Sequence, residues 1–344
     1  MAYTDIDKPD DYFNTVLYTG NGSTQSITGV GFQPDWTWIK CRNVARDHTL
    51  TDSVRGATQT LVSNSTQAEF TVSGGLTSFD SDGFTLGSGN AFNGNTETHV
   101  AWNWLASNTT ASNTDGSITS TVSASTTSGF SIVSYSGNST SGATVGHGLG
   151  ATPKIVIAKW RNSAGEWYVY SPYIGATNFL RLNANAASAA ASSIWNNTDP
   201  NSTTFTLGND GAINGSGGNY IAYCFAEKKG FSKFGSYTGN GNADGTFIYT
   251  GFKPAMIIIK GTAINTEWIL SDNKRSTYNA VQNTLTVNTS DAEGTGTDRF
   301  DFFSNGFKLR NTGANFNTSG GTYIYMAFAE NPLVGTNNIP ATAR

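Results

Sequence analysis

The chain has 344 residues, a formal net charge of −4 and only 13% charged side chains, about half the roughly 25% of an ordinary globular protein. Its 20 lysines and arginines are scattered singly, which leaves no basic stripe for nucleic acid; no apolar run approaches the roughly 20 residues a bilayer demands, and residues 1–5 lack the basic and apolar parts of a signal peptide. The 37% apolar and 12% aromatic share argues against disorder, and the 39 glycines point to an all-β protein with many tight turns, expected to be made and kept in a cytoplasm until assembly or lysis.

Residues 1–12 read as an N-terminal arm. A first unit, 13–107, opens with a strand and the turn Tyr18-Thr19-Gly20-Asn21-Gly22. After Pro34 comes the run 35–40, a strand that the proline keeps from pairing upstream and whose final Lys40 is expected to stop burial. Asp52 and Arg55, three residues apart, suggest a local ion pair fixing a turn. A strand at 83–86, a polar loop at 90–95 and an aromatic closing strand at 99–104 complete the unit.

Residues 108–129 form a Ser/Thr-rich connector, either a flexible linker or, through the alternation at 117–122, a connecting strand. The second unit, 130–227, repeats the phrase from Tyr135-Ser136-Gly137-Asn138 through Pro153, the strand 154–159, a strand at 204–207, a loop at 214–218 and closing strand 220–225. Its segment 184–193 is the one stretch with helical character. The third unit, 231–330, repeats it again from Tyr237 through Pro254, 255–260, the pair Asp272 and Arg275, 306–309, the loop 317–321 and 323–328, before an extended tail at 331–344. The markers keep step: Pro34, Pro153 and Pro254 stand 119 and 101 residues apart, as do Lys40, Lys159 and Lys260. A period of about 100 residues is a whole small domain, and short strands separated by turn clusters predict three tandem homologous β-sandwich modules.

Cys41 and Cys224 fall at non-equivalent points of the repeat, so buried thiols are expected, not a disulfide framework. His48, His99 and His147 have no metal-like partner at short spacing. His99 aligns with Tyr220 and Tyr323 and reads as structural. Glycoside hydrolysis would need two carboxylates facing a cleft; the repeat pairs Asp52 with Asp272 and Glu69 with Glu293, but the adjoining arginines favour a structural reading. No motif calls for a cofactor or a metal. The densest group of aromatic and polar residues suited to a sugar is Trp160, Arg161, Trp167, Tyr170 and Tyr173, the expected ligand contacts if there are any.

The phrases at 13–22, 31–36, 79–84 and 319–332 resemble a repeated domain of unknown function found in virion structural proteins of marine tailed phages. The resemblance runs from Phe13 to Arg344. It implies a phage-particle protein with sandwich modules of a jelly-roll or lectin-like kind and supplies no catalytic residues. The expectation is a non-enzymatic virion protein, a tail appendage or fibre meeting the host surface through loops such as 90–95 or 176–185. The alternative is a capsid decoration protein, and a polysaccharide-degrading enzyme is a more distant one. Implied partners are other virion proteins and a host glycan or receptor, with homo-oligomerisation, as a trimer in a fibre, and neither nucleic acid nor membrane insertion.

Overall fold

Burial on both faces of three strands sets the architecture. In Trp36–Cys41, Ile155–Trp160 and Phe252–Gly261, side chains alternate between two apolar environments. Trp36, Trp38, Ile155, Ile157, Met256 and Ile258 enter one shared central core. Ile39, Val156, Ala158, Ile257 and Ile259 point the other way, into three separate outer cores. The structure, a computed structural model, describes residues 4–335; the first three residues of the expected arm and residues 336–344 of the expected tail lie outside it.

Each of these strands sits in a large antiparallel sheet. The first sheet has the order Phe13–Thr19, Thr98–Trp104, Trp36–Cys41, Thr49–Asp52, Gln59–Val62, Phe70–Thr71. The second repeats that order with Phe130–Ser136, Asn219–Phe225, Ile155–Trp160, Trp167–Tyr170, Asn178–Arg181 and Ala189–Ala190. Ser120–Ser125 and Ala111–Asn113 extend its edge, so the Ser/Thr-rich stretch after residue 107 contributes strands. The third runs Ser232–Thr238, Thr322–Pro332, Phe252–Gly261, Ile269–Asp272, Leu285–Thr286. Smaller antiparallel sheets carrying Ile27 and Phe84, Val145 and Phe205, and Ile248 and Phe307 pack on the outer cores. The chain is therefore all-β.

At the centre the three sheets meet through aromatic residues. Trp104, Phe225 and Phe328 form a triangle of ring centroids 6.5, 5.8 and 5.6 Å apart. Phe225 and Phe328 are each 1% exposed, and burying such a ring stabilises by about 1.5–3 kcal/mol.

The Tyr-x-Gly-Asn turns lock each sheet to a one-turn helix. Tyr18, Tyr135 and Tyr237 donate their hydroxyls to the carbonyls of Phe92, Ile213 and Phe316. The backbone N–H groups of Asn21, Asn138 and Asn240 donate to the side-chain oxygens of the buried Asn93, Asn214 and Asn317, each at 2.9 Å. A Cβ at Gly20, Gly137 or Gly239 would collide with the carbonyl of Gly94, Gly215 or Thr318, so close backbone approach requires the glycine.

Three expectations are corrected. The polar loops are preceded or begun by one-turn helices, Asn90–Asn93, Gly211–Asn214 and Ala314–Asn317, whereas 184–193 holds the short strand Ala189–Ala190 and only the first residues of Ser192–Trp195. Pro254 lies inside its strand, tolerated because the ladder shifts register on both sides of it. Lys40, Lys159 and Lys260, expected to end burial, are completely buried, because they continue the row of side chains that faces the centre.

Candidate functional site

The five residues singled out for ligand contact do not share a surface. Successive strand residues face opposite ways, which sends Trp167 to the central core and Tyr170 to an outer one. Trp167 donates its indole N–H to the Val62 carbonyl at 2.9 Å, and Tyr170 its hydroxyl to Asp199 at 2.9 Å. Both are shut away from any exposed contact. Trp160 is half-buried, stacked on Tyr220, and Arg161 is paired with Glu69 at 2.9 Å. Tyr173 is 44% exposed and donates to the Phe234 carbonyl. The loops expected to meet a host are also engaged internally: Phe92 and Asn93 are buried, and the Asn185 carbonyl accepts from Lys260.

What the fold does assemble is three joints, each joining one sheet to the next. An aromatic N–H crosses every joint. His48 Nε2 lies 3.1 Å from the Thr286 carbonyl, Trp167 donates to Val62, and Trp268 donates to Arg181 at 2.9 Å. Because Trp38 donates to His48 Nδ1 at 2.9 Å, that nitrogen accepts and Nε2 carries the proton. A lysine crosses every joint too. Lys40 reaches the Ser290 carbonyl at 3.3 Å, Lys159 that of Thr66 at 3.1 Å, and Lys260 that of Asn185 at 3.0 Å. A backbone bond completes each set: Glu69 to Arg161, Glu293 to Arg42 and Ser188 to Thr262, at 2.7, 2.7 and 2.8 Å. The first sheet thus contacts the third, the third the second, and the second the first, closing a ring.

Besides the lysine that every joint buries, two joints hold a buried network of arginine–carboxylate pairs. Asp52 pairs with Arg55 at 2.5 Å and accepts from the Tyr223 hydroxyl at 2.7 Å; Glu69 bridges Arg55 and Arg161 at 3.1 and 2.9 Å. Asp272 pairs with Arg275 at 2.6 Å and accepts from Trp102 at 3.0 Å; Glu293 bridges Arg275 and Arg42 at 2.7 and 2.8 Å. Burial opposes the charge on Arg55, but Asp52, Tyr223 and Glu69 outweigh it, so its pKa rises. Burial likewise opposes the Glu69 carboxylate, and the hydrogen bond from Arg161 with the neighbouring arginine charges lowers its pKa overall. These are the four acids weighed as hydrolytic pairs, and each is neutralised by arginine. The lysines have no such acid at bonding distance among the described residues. Burial lowers Lys159 and Lys260 to about 8, with Glu166 and Glu267 opposing the shift.

The model of one family, described as a domain of unknown function (DUF7483), matches residues 8–332. The chain belongs to the DUF7483 family. No curated protein and no solved structure matches it. The matched span covers all three sheets of this DUF7483 chain and the joints between them.

One side-chain cluster of the DUF7483 chain escaped sequence reasoning. Cys41 and His99 are cross-strand partners in the first sheet, and Glu97 lies two residues before His99 on the same side; Cys41 Sγ, a Glu97 oxygen and a His99 nitrogen all lie within 4.8 Å of one another. Burial pushes the Cys41 thiol up and lowers His99 to about 4, Glu97 opposing the latter. Short spacing could not reveal the group, because strand pairing assembles it from residues 58 apart. The available signal was the repeat: the closing strands carry Tyr220 and Tyr323 where this one has His99, with Gly218 and Gly321 at the place of Glu97.

Proposed function

We propose that this DUF7483 chain is a non-enzymatic structural protein of a tailed-phage particle, built from three tandem β-sandwich modules closed into a single-chain counterpart of a trimer. The observation that carries the reading is the ring itself, with Trp104, Phe225 and Phe328 on its axis. A body of three like sheets around one axis matches a threefold seat on a larger assembly, because each of its sides can meet an equivalent neighbour. The phage particle rests on the resemblance in the repeated phrases. The non-enzymatic reading rests on the arginine pairing of the four candidate acids.

Between the two positions on a particle, capsid decoration is favoured over a tail appendage. Ring closure supplies within one chain the contacts that a fibre would draw from three. The test is quantitative mass spectrometry of purified particles. Decoration of threefold positions predicts about one copy per three major capsid subunits. A ratio of a few per cent would overturn decoration and establish the tail position, whereas absence from the particle would overturn the structural role altogether.

A further inference from the structure

We propose that Cys41, Glu97 and His99 form a binding site for a borderline divalent cation of the Zn²⁺ class. Thiolate, imidazole and carboxylate are the three side-chain ligands zinc takes, and here strand pairing brings one of each within 4.8 Å of the others. Glu97 Oε2 lies 3.4 Å from Cys41 Sγ, and the Asn43 side-chain oxygen, 3.5 Å from Sγ, supplies a further donor.

His99 points independently to a ligand. It is completely buried, and neither ring nitrogen has a hydrogen-bond partner among the described residues. A buried polar ring with no partner is destabilising, and coordination would remove that cost at one nitrogen. The other two sheets show what a satisfied residue looks like at this place. Tyr220 and Tyr323 stack on Tyr135 and Tyr237 as His99 stacks on Tyr18. Their hydroxyls bridge a carbonyl and a backbone N–H of the neighbouring one-turn helix, Gly211 and Gly215 in one case, Ala314 and Thr318 in the other. The imidazole makes neither bond, and only in the first sheet do a thiol and a carboxylate stand beside it.

The second coordination layer is also present. Arg46 holds both oxygens of Glu97, Nη2 donating to Oε1 at 2.5 Å and Nε to Oε2 at 3.2 Å, which fixes the carboxylate beside the sulfur. On binding, the Cys41 S–H loses its proton to solvent and a metal–sulfur bond takes its place; no redox step is involved.

The test is titration of the full, chelator-treated chain with Co²⁺ as a spectroscopic probe, followed by displacement with Zn²⁺. The expected result is a near-ultraviolet thiolate-to-cobalt charge-transfer band that saturates at one equivalent and disappears on adding Zn²⁺. Cys41→Ala should abolish the band, and Glu97→Gln should weaken binding by more than about tenfold. His99→Tyr installs the residue that the other two sheets already carry at this position, so it keeps the fold; it should lose both the band and any Zn²⁺-dependent rise in Tm. Absence of the band in the parent chain, or its persistence in His99→Tyr, would overturn the site.

Discussion

The two joints with arginine–carboxylate pairs and the one without them solve the same packing problem with different chemistry. Where the first and third sheets present an aspartate and an arginine three residues apart, the second presents Ser171 and Ile174; Ser171 directly follows Tyr170, which stands opposite Val156, as Asp52 directly follows Thr51, which stands opposite Thr37. The partners change in concert. Tyr223 and Trp102 donate to the two aspartates, while the third sheet carries Met326, which has no N–H or O–H to give. Ser188 and Thr262 likewise replace a glutamate and an arginine, with the backbone bond between them intact. Acid, base and donor are present together or absent together. That is the pattern expected if a buried ion pair adds little net stability but a broken one is expensive.

The largest predicted effect breaks this comparison at one point. Arg55→Met leaves the buried Asp52 carboxylate without its base and should cost about 3–5 kcal/mol, whereas Ile174→Met at the joint without arginine–carboxylate pairs should cost less than about 1.5 kcal/mol. Urea denaturation measures both, and equal losses would remove the distinction between joints. Replacing the matched set together, as Asp52→Ser, Arg55→Ile and Tyr223→Met, should restore much of the stability that Arg55→Met alone removes; a loss as large as that of the single variant would contradict matched exchange.

Next in size is the aromatic N–H that all three joints share. Trp268→Phe strips the Arg181 carbonyl of its donor at the joint between the second and third sheets and should cost about 1–3 kcal/mol, visible as a lower Tm. An unchanged Tm would show that the ring bonds do not hold the sheets together.

A third effect is the pH dependence of the lysines. Their folded pKa of about 8 lies below the ordinary 10.5. Below pH 8 each is protonated in both states and the burial penalty is full. Between 8 and 10.5 the folded state has shed the proton while the unfolded chain still holds it, so stability rises with pH by up to about 1.4 kcal/mol per unit for each lysine. Urea unfolding at about pH 7.5 and about pH 9.5 should show a smaller rise in Lys260→Met than in the parent chain, and an equal rise would mean that Lys260 stays charged.

Much of the fold was legible because its signals are local. The glycines of the Tyr-x-Gly-Asn turns are dictated by backbone contact within each unit, and the lysine-terminated runs by alternation along a strand. The joints were not legible, since Lys40, Lys159 and Lys260 are buried by the carbonyls of Ser290, Thr66 and Asn185, supplied by a different sheet in each case. A lysine at a strand end reads as exposed until those acceptors are known. The aromatic cluster misled for a simpler reason: residues that crowd together in sequence from Trp160 to Tyr173 are dealt by the pleat to opposite faces. Cys41, Glu97 and His99 could be noticed only as departures from the repeat, because nothing in their spacing brings them together.

The central claim is that the ring closes within one chain, and the joint between the first and third sheets is where it closes. The direct measurement is to place cysteines at Arg42→Cys and Glu293→Cys in a chain carrying Cys41→Ala and Cys224→Ala, add a short bismaleimide at high dilution, and determine the mass of the product. The account predicts a monomeric product in which the peptides around 42 and 293 are linked. Linked dimers and larger species, or no link at all, would contradict it.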